Sequence, residues 1–141
     1  MNRKASAVWK GSLKEGKGTI STQSGVLADT PYSFSTRFEN AKGTNPEELI
    51  AAAHAGCFTM ALSAQLGTLN LTAETLSTVA TATLEKLDAG WTLTKVHLDV
   101  TGKVPTGTQA AFEAAAASAK ANCPISRLLR AEITLDTKFE S

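Results

Sequence analysis

Alternating apolar and polar residues predict strands in several parts of the chain. The clearest alternation runs from Ala131 to Phe139, where the odd-numbered positions are mostly apolar and the even-numbered ones polar, as in a half-buried strand. Residues 76–87 and 91–101 read as two further strands, and the intervening Asp88-Ala89-Gly90 suits a tight hairpin turn. Near the start, residues 5–10 and 18–24 predict another hairpin around a Gly- and Lys-rich turn.

A further strand is predicted over Pro31–Phe38. Its alternation puts Tyr32, Phe34, Thr36 and Phe38 on one face. Arg37 then lies on the opposite, polar face and points away from the aromatic side chains. By itself, an arginine on such a face is usually a solvated charge.

A long helix is predicted from Pro46 to about Leu66. Thr44-Asn45-Pro46-Glu47-Glu48 combines a capping residue, a proline at the first helical position and acids at the positive end of the helix dipole. Gly67 is the expected C-terminal stop. Because this helix is apolar around its whole circumference, we expect it to lie at the centre of the fold.

Two more helices are expected before the last strand, over residues 108–121 and 124–130, with Cys123 at the cap position of the second. The order is therefore a strand-rich segment, a helix, a hairpin, two helices and a strand. This order favours an α+β fold of antiparallel sheets with a buried central helix. Since no internal repeat or linker is apparent, residues 1–141 are expected to form a single domain.

Composition limits the classes of function. The 141 residues are 43% hydrophobic and 19% charged, with a net charge of +1, so nothing in the charge pattern is aimed at nucleic acid or a membrane surface. No export signal is visible at the N-terminus. The most apolar stretch, Leu49–Leu66, is interrupted by His54, Gly56, Ser63 and Gln65, which argues against a membrane span. We therefore expect a cytoplasmic protein.

Two cysteines are the main candidates for chemistry. Cys57 lies ten positions into the long helix, where the terminal dipole cannot activate it. It is either a small core residue or a thiol that needs a cation from elsewhere, with His54 or an arginine as the candidates. Cys123 precedes Pro124 at a helix start, where free N–H groups favour a thiolate; its structural alternative is a weak cap. In a reducing compartment, a permanent cross-link between them is not expected.

Other motifs are missing. The two cysteines are 66 positions apart, so neither a Cys-x-x-Cys redox motif nor zinc-finger spacing is present. A metal site built from both cysteines, His54 and His97 has no support in their spacing. The sequence has no phosphate-binding glycine loop and no hydrolase motif. Glu47 and Glu48 are each explained by helix capping alone.

Four segments together resemble the OsmC (osmotically inducible protein C) family of the OsmC/Ohr superfamily: Pro31–Phe38, Gly43–Leu49, Ala52–Leu62 and Asn122–Ser126. The most specific part is Asn-Pro-Glu-Glu-Leu leading into Ala-x-Cys-Phe, paired with a distant Cys-Pro. His54 and the placement of Arg37 resemble the OsmC branch rather than the organic-hydroperoxide-resistance branch.

The resemblance implies a thiol peroxidase on an intertwined α+β homodimer. Cys57 would be the peroxidatic cysteine and Cys123 the resolving cysteine, with Arg37 and Glu47 as the activating ion pair and Glu48 as the alternative acid. The expected substrate is an organic hydroperoxide, and the expected reductant is a dithiol or a dihydrolipoyl protein. No metal or bound cofactor is expected.

One consequence follows from helix geometry. Glu47 and Cys57 are ten residues apart on one helix, about 15 Å along its axis, so Glu47 cannot meet its own Cys57. If acid, arginine and thiol form one cluster, a second subunit must supply part of it. Two alternatives to the peroxidase stay open: a module that binds an apolar ligand and keeps its cysteines inert, and a redox sensor that forms the disulfide without turnover.

Overall fold

A three-stranded antiparallel sheet forms the N-terminal part of the protein in a computed structural model that describes residues 1–141. Strand β1 (Ala5–Lys10) pairs with β2 (Lys17–Thr22), which pairs in turn with the short β3 (Thr30–Tyr32). The predicted N-terminal hairpin is confirmed, although its second strand begins one residue earlier and ends two residues earlier than expected.

The predicted strand over Pro31–Phe38 is wrong beyond Tyr32, because residues Phe34–Phe38 form a short helix, α1. The Ser33 hydroxyl accepts a hydrogen bond from the Thr36 N–H (3.2 Å), and the Thr36 hydroxyl accepts one from the Ser33 N–H (2.8 Å). This reciprocal capping box starts a helix. Phe34 and Phe38 still meet, with ring centroids 4.8 Å apart, because positions i and i+4 share a helix face as they would share a strand face.

The long helix α2 (Pro46–Thr68) begins where predicted and continues through Gly67. Only one stripe of it is buried in the chain: His54, Phe58, Leu62 and Leu66. The opposite side is exposed, with Met60 at 77%. The predicted buried central helix is therefore buried along one side in the single chain, and its other apolar side is left uncovered. By length and composition alone α2 would also suffice to cross a bilayer.

The second sheet consists of β4 (Thr75–Leu87), β5 (Gly90–Lys103) and β6 (Glu132–Glu140), in that order. The β4–β5 hairpin turns at Asp88-Ala89-Gly90 as predicted, and Gly90 has a φ of 114°, which favours glycine. However, β6 runs parallel to β5, so the expectation of purely antiparallel sheets is wrong. Helices α3 (Gln109–Asn122) and α4 (Pro124–Leu128) form the crossover that a parallel pair requires.

The apolar core is built by the buried stripe of α2, the inner faces of α3 and the second sheet. Phe58, Leu98 and Phe112 are among its largest fully buried side chains. The chain divides into two compact units, Met1–Leu49 and Ile50–Ser141. A single domain over residues 1–141 stays a prediction, while the α+β class is confirmed by the mixture of helices and sheets.

Candidate active site

Arg37 and Glu47 form an ion pair in the N-terminal unit. The Arg37 Nε and one terminal nitrogen both donate to Glu47 Oε1, at 3.0 and 2.7 Å. The guanidinium also lies 5.3 Å from the centre of the Phe38 ring. Arg37 therefore does not point away from the aromatic residues as the strand prediction required, because the helical turn places it beside them.

Asn45 joins the two helices that carry this pair. Its side-chain oxygen accepts the Glu48 N–H at 2.8 Å and so caps α2, while its side-chain nitrogen donates to the Thr36 carbonyl of α1 at 3.2 Å. One asparagine thus starts the helix of Glu47 and ties it to the helix of Arg37.

The structure also distinguishes the two candidate acids. Glu47 pairs with Arg37, whereas Glu48 accepts a hydrogen bond from the Thr44 hydroxyl at 2.7 Å. The Glu47 side chain is only 15% exposed, and its Oε2 is buried without a hydrogen-bond partner. The carboxylate therefore retains acceptor capacity for one more donor.

An apolar cavity of about 270 Å³ lies beside the Arg37 guanidinium. Half of its lining residues are aromatic: Trp9, Tyr32, Phe34 and Phe38. Such a cavity combines one cation with apolar surface, as small-molecule sites commonly do.

Cys57 and Cys123 meet in the second unit, although 66 positions separate them in sequence. Their thiols are hydrogen-bonded to each other and no disulfide is formed. Cys57 comes from the middle of α2, and Cys123 is the fully buried residue that precedes α4. The structure therefore brings together the two predicted cysteines.

The two thiols differ in acidity. Burial is the main cause that raises the pKa of Cys57, and the hydrogen bond with Cys123 raises it further. Burial also acts to raise the pKa of Cys123, but it is outweighed by hydrogen bonds from Cys57, from Ser126 and from the N–H groups of Ile125 and Ser126, so the net pKa is lowered. Cys123 thus benefits from the start of α4, although its geometry is not that of a regular cap.

The structure does not favour His54 as a cation beside Cys57. It is fully buried, and burial lowers its pKa. Its Nε2 lies 2.7 Å from the Ser126 hydroxyl, while its Nδ1 has no partner. Sequence reasoning missed Ser126, which stands three residues after the Cys123 cap, at the position from which a side chain reaches back to a cap.

The other histidine belongs to a separate cluster on the outer face of β5 and β6. His97 Nε2 lies 3.3 Å from Asp99 Oδ1 and 3.2 Å from Asp136 Oδ2, and Nδ1 contacts the Thr134 hydroxyl. The metal-ligating atoms of the three residues lie within 4.8 Å of one another. His97 therefore has no place beside His54 and the two thiols, and that a metal is not required stays a prediction.

The chain has an α+β fold in which two free cysteines, distant in sequence, lie in hydrogen-bonding contact. This arrangement is typical of proteins that use a pair of cysteine thiols. Residues 39–138 match the family model described as OsmC-like protein. Peroxiredoxin OsmC of Escherichia coli K12 is 50% identical over all 141 residues, which covers 99% of that protein. The chain belongs to the OsmC family, as its motifs predicted.

Solved structures agree with this fold. An OsmC-like protein of unknown function from Vibrio cholerae has a TM-score of 0.79 at 19% identity, covering 97% of this chain and 99% of that one. The organic hydroperoxide resistance protein OhrB of Bacillus subtilis has a TM-score of 0.69 at 21% identity, covering 97% and 98%. These structures confirm the α+β class expected from the order of elements.

Proposed function

We propose that this protein is a cysteine-based peroxidase that reduces organic hydroperoxides to alcohols. The observation that carries the proposal is the hydrogen-bonded pair of Cys57 and Cys123, in a chain 50% identical over its full length to a protein named Peroxiredoxin OsmC. OhrB, with the same fold, is named for organic hydroperoxide resistance.

In the first step the Cys57 thiolate attacks one oxygen of the hydroperoxide. The O–O bond breaks, the alkoxide takes a proton and leaves as the alcohol, and Cys57 becomes a sulfenic acid. The hydroperoxide is reduced by two electrons and the sulfur is oxidised by two.

In the second step the Cys123 thiolate attacks the Cys57 sulfenic sulfur. An S–S bond forms, the S–O bond breaks, and the departing hydroxide leaves as water. Contact between the two thiols supports this step. The disulfide protects Cys57 from irreversible oxidation, and an external dithiol then reduces it.

The first step needs a cation at Cys57, because burial and Cys123 keep the pKa of the Cys57 thiol raised. We assign this role to Arg37, which Glu47 holds by two hydrogen bonds. A guanidinium stabilises the thiolate and the negative charge that develops on the leaving oxygen. The unpartnered Oε2 of Glu47 is consistent with an ion pair that is completed by another group.

A homodimer would bring that cation to the thiol. Ten residues of continuous helix separate Glu47 from Cys57, about 15 Å at 1.5 Å per residue, so we assign the guanidinium at each Cys57 to a second subunit. The exposed side of α2 supports this arrangement, since Ala53, Gly56, Met60 and Ala64 are apolar or small and uncovered in the chain. A two-fold axis beside α2 would cover both copies of this side and create two equivalent sites.

The cavity beside Arg37 supports an organic rather than an inorganic peroxide. Its aromatic walls favour an alkyl or aryl group, and hydrogen peroxide would leave them without a contact. We therefore expect stronger activity with organic hydroperoxides than with hydrogen peroxide.

We assign the reducing step to a dithiol or a dihydrolipoyl protein, with no metal and no bound cofactor in the cycle. The two thiols supply and recover both electrons, so the chemistry needs no further redox group. A soluble protein that works in the reducing cytoplasm against oxidative and osmotic stress fits this cycle.

The proposal is tested by adding one equivalent of cumene hydroperoxide to the reduced protein. We expect one equivalent of cumyl alcohol, loss of both free thiols and a Cys57–Cys123 disulfide by mass spectrometry. Repeated consumption with dithiothreitol present distinguishes a peroxidase from a sensor, which stops after one turnover. A full thiol count after treatment would show that the cysteines are inert and the protein only binds apolar ligands.

A further inference from the structure

A buried polar network next to the two thiols has no role in the cycle described so far. It consists of His54 on α2 and Ser126 on α4, joined by a 2.7 Å contact between Nε2 and the hydroxyl oxygen. The Ser126 hydroxyl in turn hydrogen-bonds the Cys123 sulfur. A continuous line of polar atoms thus runs from the imidazole to the second cysteine.

The burial of His54 is costly for a purely structural residue. Its side chain is fully buried, and Nδ1 has no hydrogen-bond partner. Burying a polar atom without a partner destabilises the folded chain, and a leucine at this position on the α2 stripe would avoid that cost. The only hydrogen bond made by the ring goes to Ser126.

We propose that His54, acting through Ser126, removes the proton from the Cys123 thiol so that Cys123 attacks the oxidised Cys57. This proposal rests on the proposed function, because it concerns the second step of that cycle. His54 touches neither sulfur in this role and is a positioning and proton-relay residue.

The two hydrogen-bond directions of the network correspond to the two states of Cys123. When Cys123 is a thiol, its S–H donates to Ser126 Oγ, and the Ser126 O–H donates to His54 Nε2. When it is a thiolate, Ser126 O–H donates to the sulfur and Nε2–H donates to Ser126. Two short proton transfers, from Cys123 to Ser126 and from Ser126 to His54, convert the first state into the second without moving a heavy atom.

The relay has a function because Cys123 carries a proton whenever Cys57 is the thiolate that attacks the hydroperoxide. The two hydrogen-bonded thiols share one proton when one of them is ionised, so a cation that makes Cys57 the thiolate leaves Cys123 protonated. After Cys57 has become a sulfenic acid, Cys123 has to lose that proton before it attacks.

The Cys123 proton passes to Ser126, Ser126 passes its own proton to His54 Nε2, and the thiolate forms the S–S bond as hydroxide leaves Cys57. The proton on His54 is then returned to the hydroxide by way of solvent, so that the products are the disulfide and one water. Neutral His54 is the form that accepts a proton, and burial favours this form because it lowers the pKa of the ring. No charged side chain contributes to that shift.

The test separates the two steps of a single turnover. Reduced protein is mixed with one equivalent of cumene hydroperoxide; alcohol release reports the first step, and dimedone trapping with intact mass reports how long the sulfenic acid lasts. In His54→Gln and Ser126→Ala we expect alcohol release within about twofold of the original protein and disulfide formation slowed roughly tenfold or more.

A pH profile distinguishes a relay from simple packing. In the original protein, disulfide formation should slow as falling pH protonates His54, and in His54→Gln this dependence should be lost. Ser126→Thr keeps the hydroxyl and should restore a normal rate, which a lost packing contact would not predict. Ser118→Ala is the matched control, since it removes a similar hydroxyl contact to α2, at 3.0 Å from Gln65, that is not part of the His54–Ser126 contact.

The possible results distinguish a failure of the relay from a failure of the proposed peroxidase function. Unchanged disulfide formation in both His54→Gln and Ser126→Ala would overturn the relay while leaving the peroxidase intact. A slow step in the Ser118→Ala control would also overturn it, because any loosening of the helices would then suffice. If the original protein releases no alcohol, the proposed function fails before the relay is reached.

Discussion

The two units of the chain hold two different kinds of polar pair. Residues Met1–Leu49 carry the ion pair of Arg37 and Glu47, whose guanidinium is partly open to solvent. Residues Ile50–Ser141 carry Cys57 and Cys123, whose charge depends on where one proton lies. Burial raises the pKa of the Cys57 thiol, so a nearby cation would favour its thiolate. In the proposed function the guanidinium of one subunit supplies that cation to the thiol of the other, which is the physical basis for proposing a dimer.

The largest expected effect on activity comes from substituting either cysteine of the thiol pair. Cys57→Ser should abolish hydroperoxide consumption, because a hydroxyl is not ionised at neutral pH and does not attack the O–O bond. Cys123→Ser should allow one turnover and leave a sulfenic acid that over-oxidises to sulfinic acid. Alcohol formation and intact mass check both variants. Continued turnover by Cys57→Ser would remove the peroxidase proposal.

The second effect tests the ion pair. Arg37→Ala should slow the first step by about ten- to hundredfold, since a hydrogen bond to a charged group contributes about 1.5–3 kcal/mol. The pH–rate profile should also move to higher pH, because the thiolate loses its cation. Glu47→Gln should give a smaller loss, and Glu48→Gln, whose carboxylate contacts Thr44 instead, is the matched control. An unchanged pH profile in Arg37→Ala would contradict the assignment.

The third effect tests how the two pairs are brought together. Met60 is 77% exposed on α2, so Met60→Glu should change the stability of a single chain by less than about 0.5 kcal/mol. It should nevertheless weaken dimerisation and lower activity, because a charge is placed in an apolar interface. Sedimentation velocity and alcohol release measure the two results. Val26→Glu, at a position that is 84% exposed, is the control, and an intact dimer in Met60→Glu would refute this interface.

The smallest effect concerns the pH dependence of stability. Because burial lowers the pKa of His54 below 6.5, the unfolded chain binds a proton that the folded chain does not, and folding stability is lost as pH falls below 6.5. His54→Gln removes this contribution. Urea unfolding of both proteins at pH 7.5 and 5.5 should show a smaller loss of stability in the variant. Equal losses would mean that His54 is readily protonated in the folded state.

Elements that carry a clear short-range sequence signal were predicted correctly in most cases. The proline and acids before Leu49 located the start of α2, and the Asp-Ala-Gly turn located the β4–β5 hairpin. The prediction failed at Phe34–Phe38, where the alternation of side chains fits a strand and the spacing of the two phenylalanines fits a helix equally well. The capping box of Ser33 and Thr36 decided between them.

The candidate site was predicted by residue type and motif, but its contacts were not. Arg37, Glu47, Cys57 and Cys123 were all named from the sequence and now form two contacting pairs. Ser126 was missed, because a polar residue three positions after a helix cap usually hydrogen-bonds to the backbone of the cap and has no further role. His54 was one of two candidates for a cation beside Cys57, with an arginine as the other, because the burial that lowers its pKa is not visible in a sequence.

The sequence by itself determined where α2 and the β4–β5 hairpin lie, which residues are candidates for chemistry and that the long helix has more apolar surface than a single row of contacts needs. These are short-range properties, set by the nearest few residues. Only the tertiary structure decided which acid meets Arg37, that β6 runs parallel to β5, and that the two thiols meet and differ in acidity. Contacts between distant residues depend on the packing of whole helices and strands, and the acidity of a buried group depends on that packing in turn.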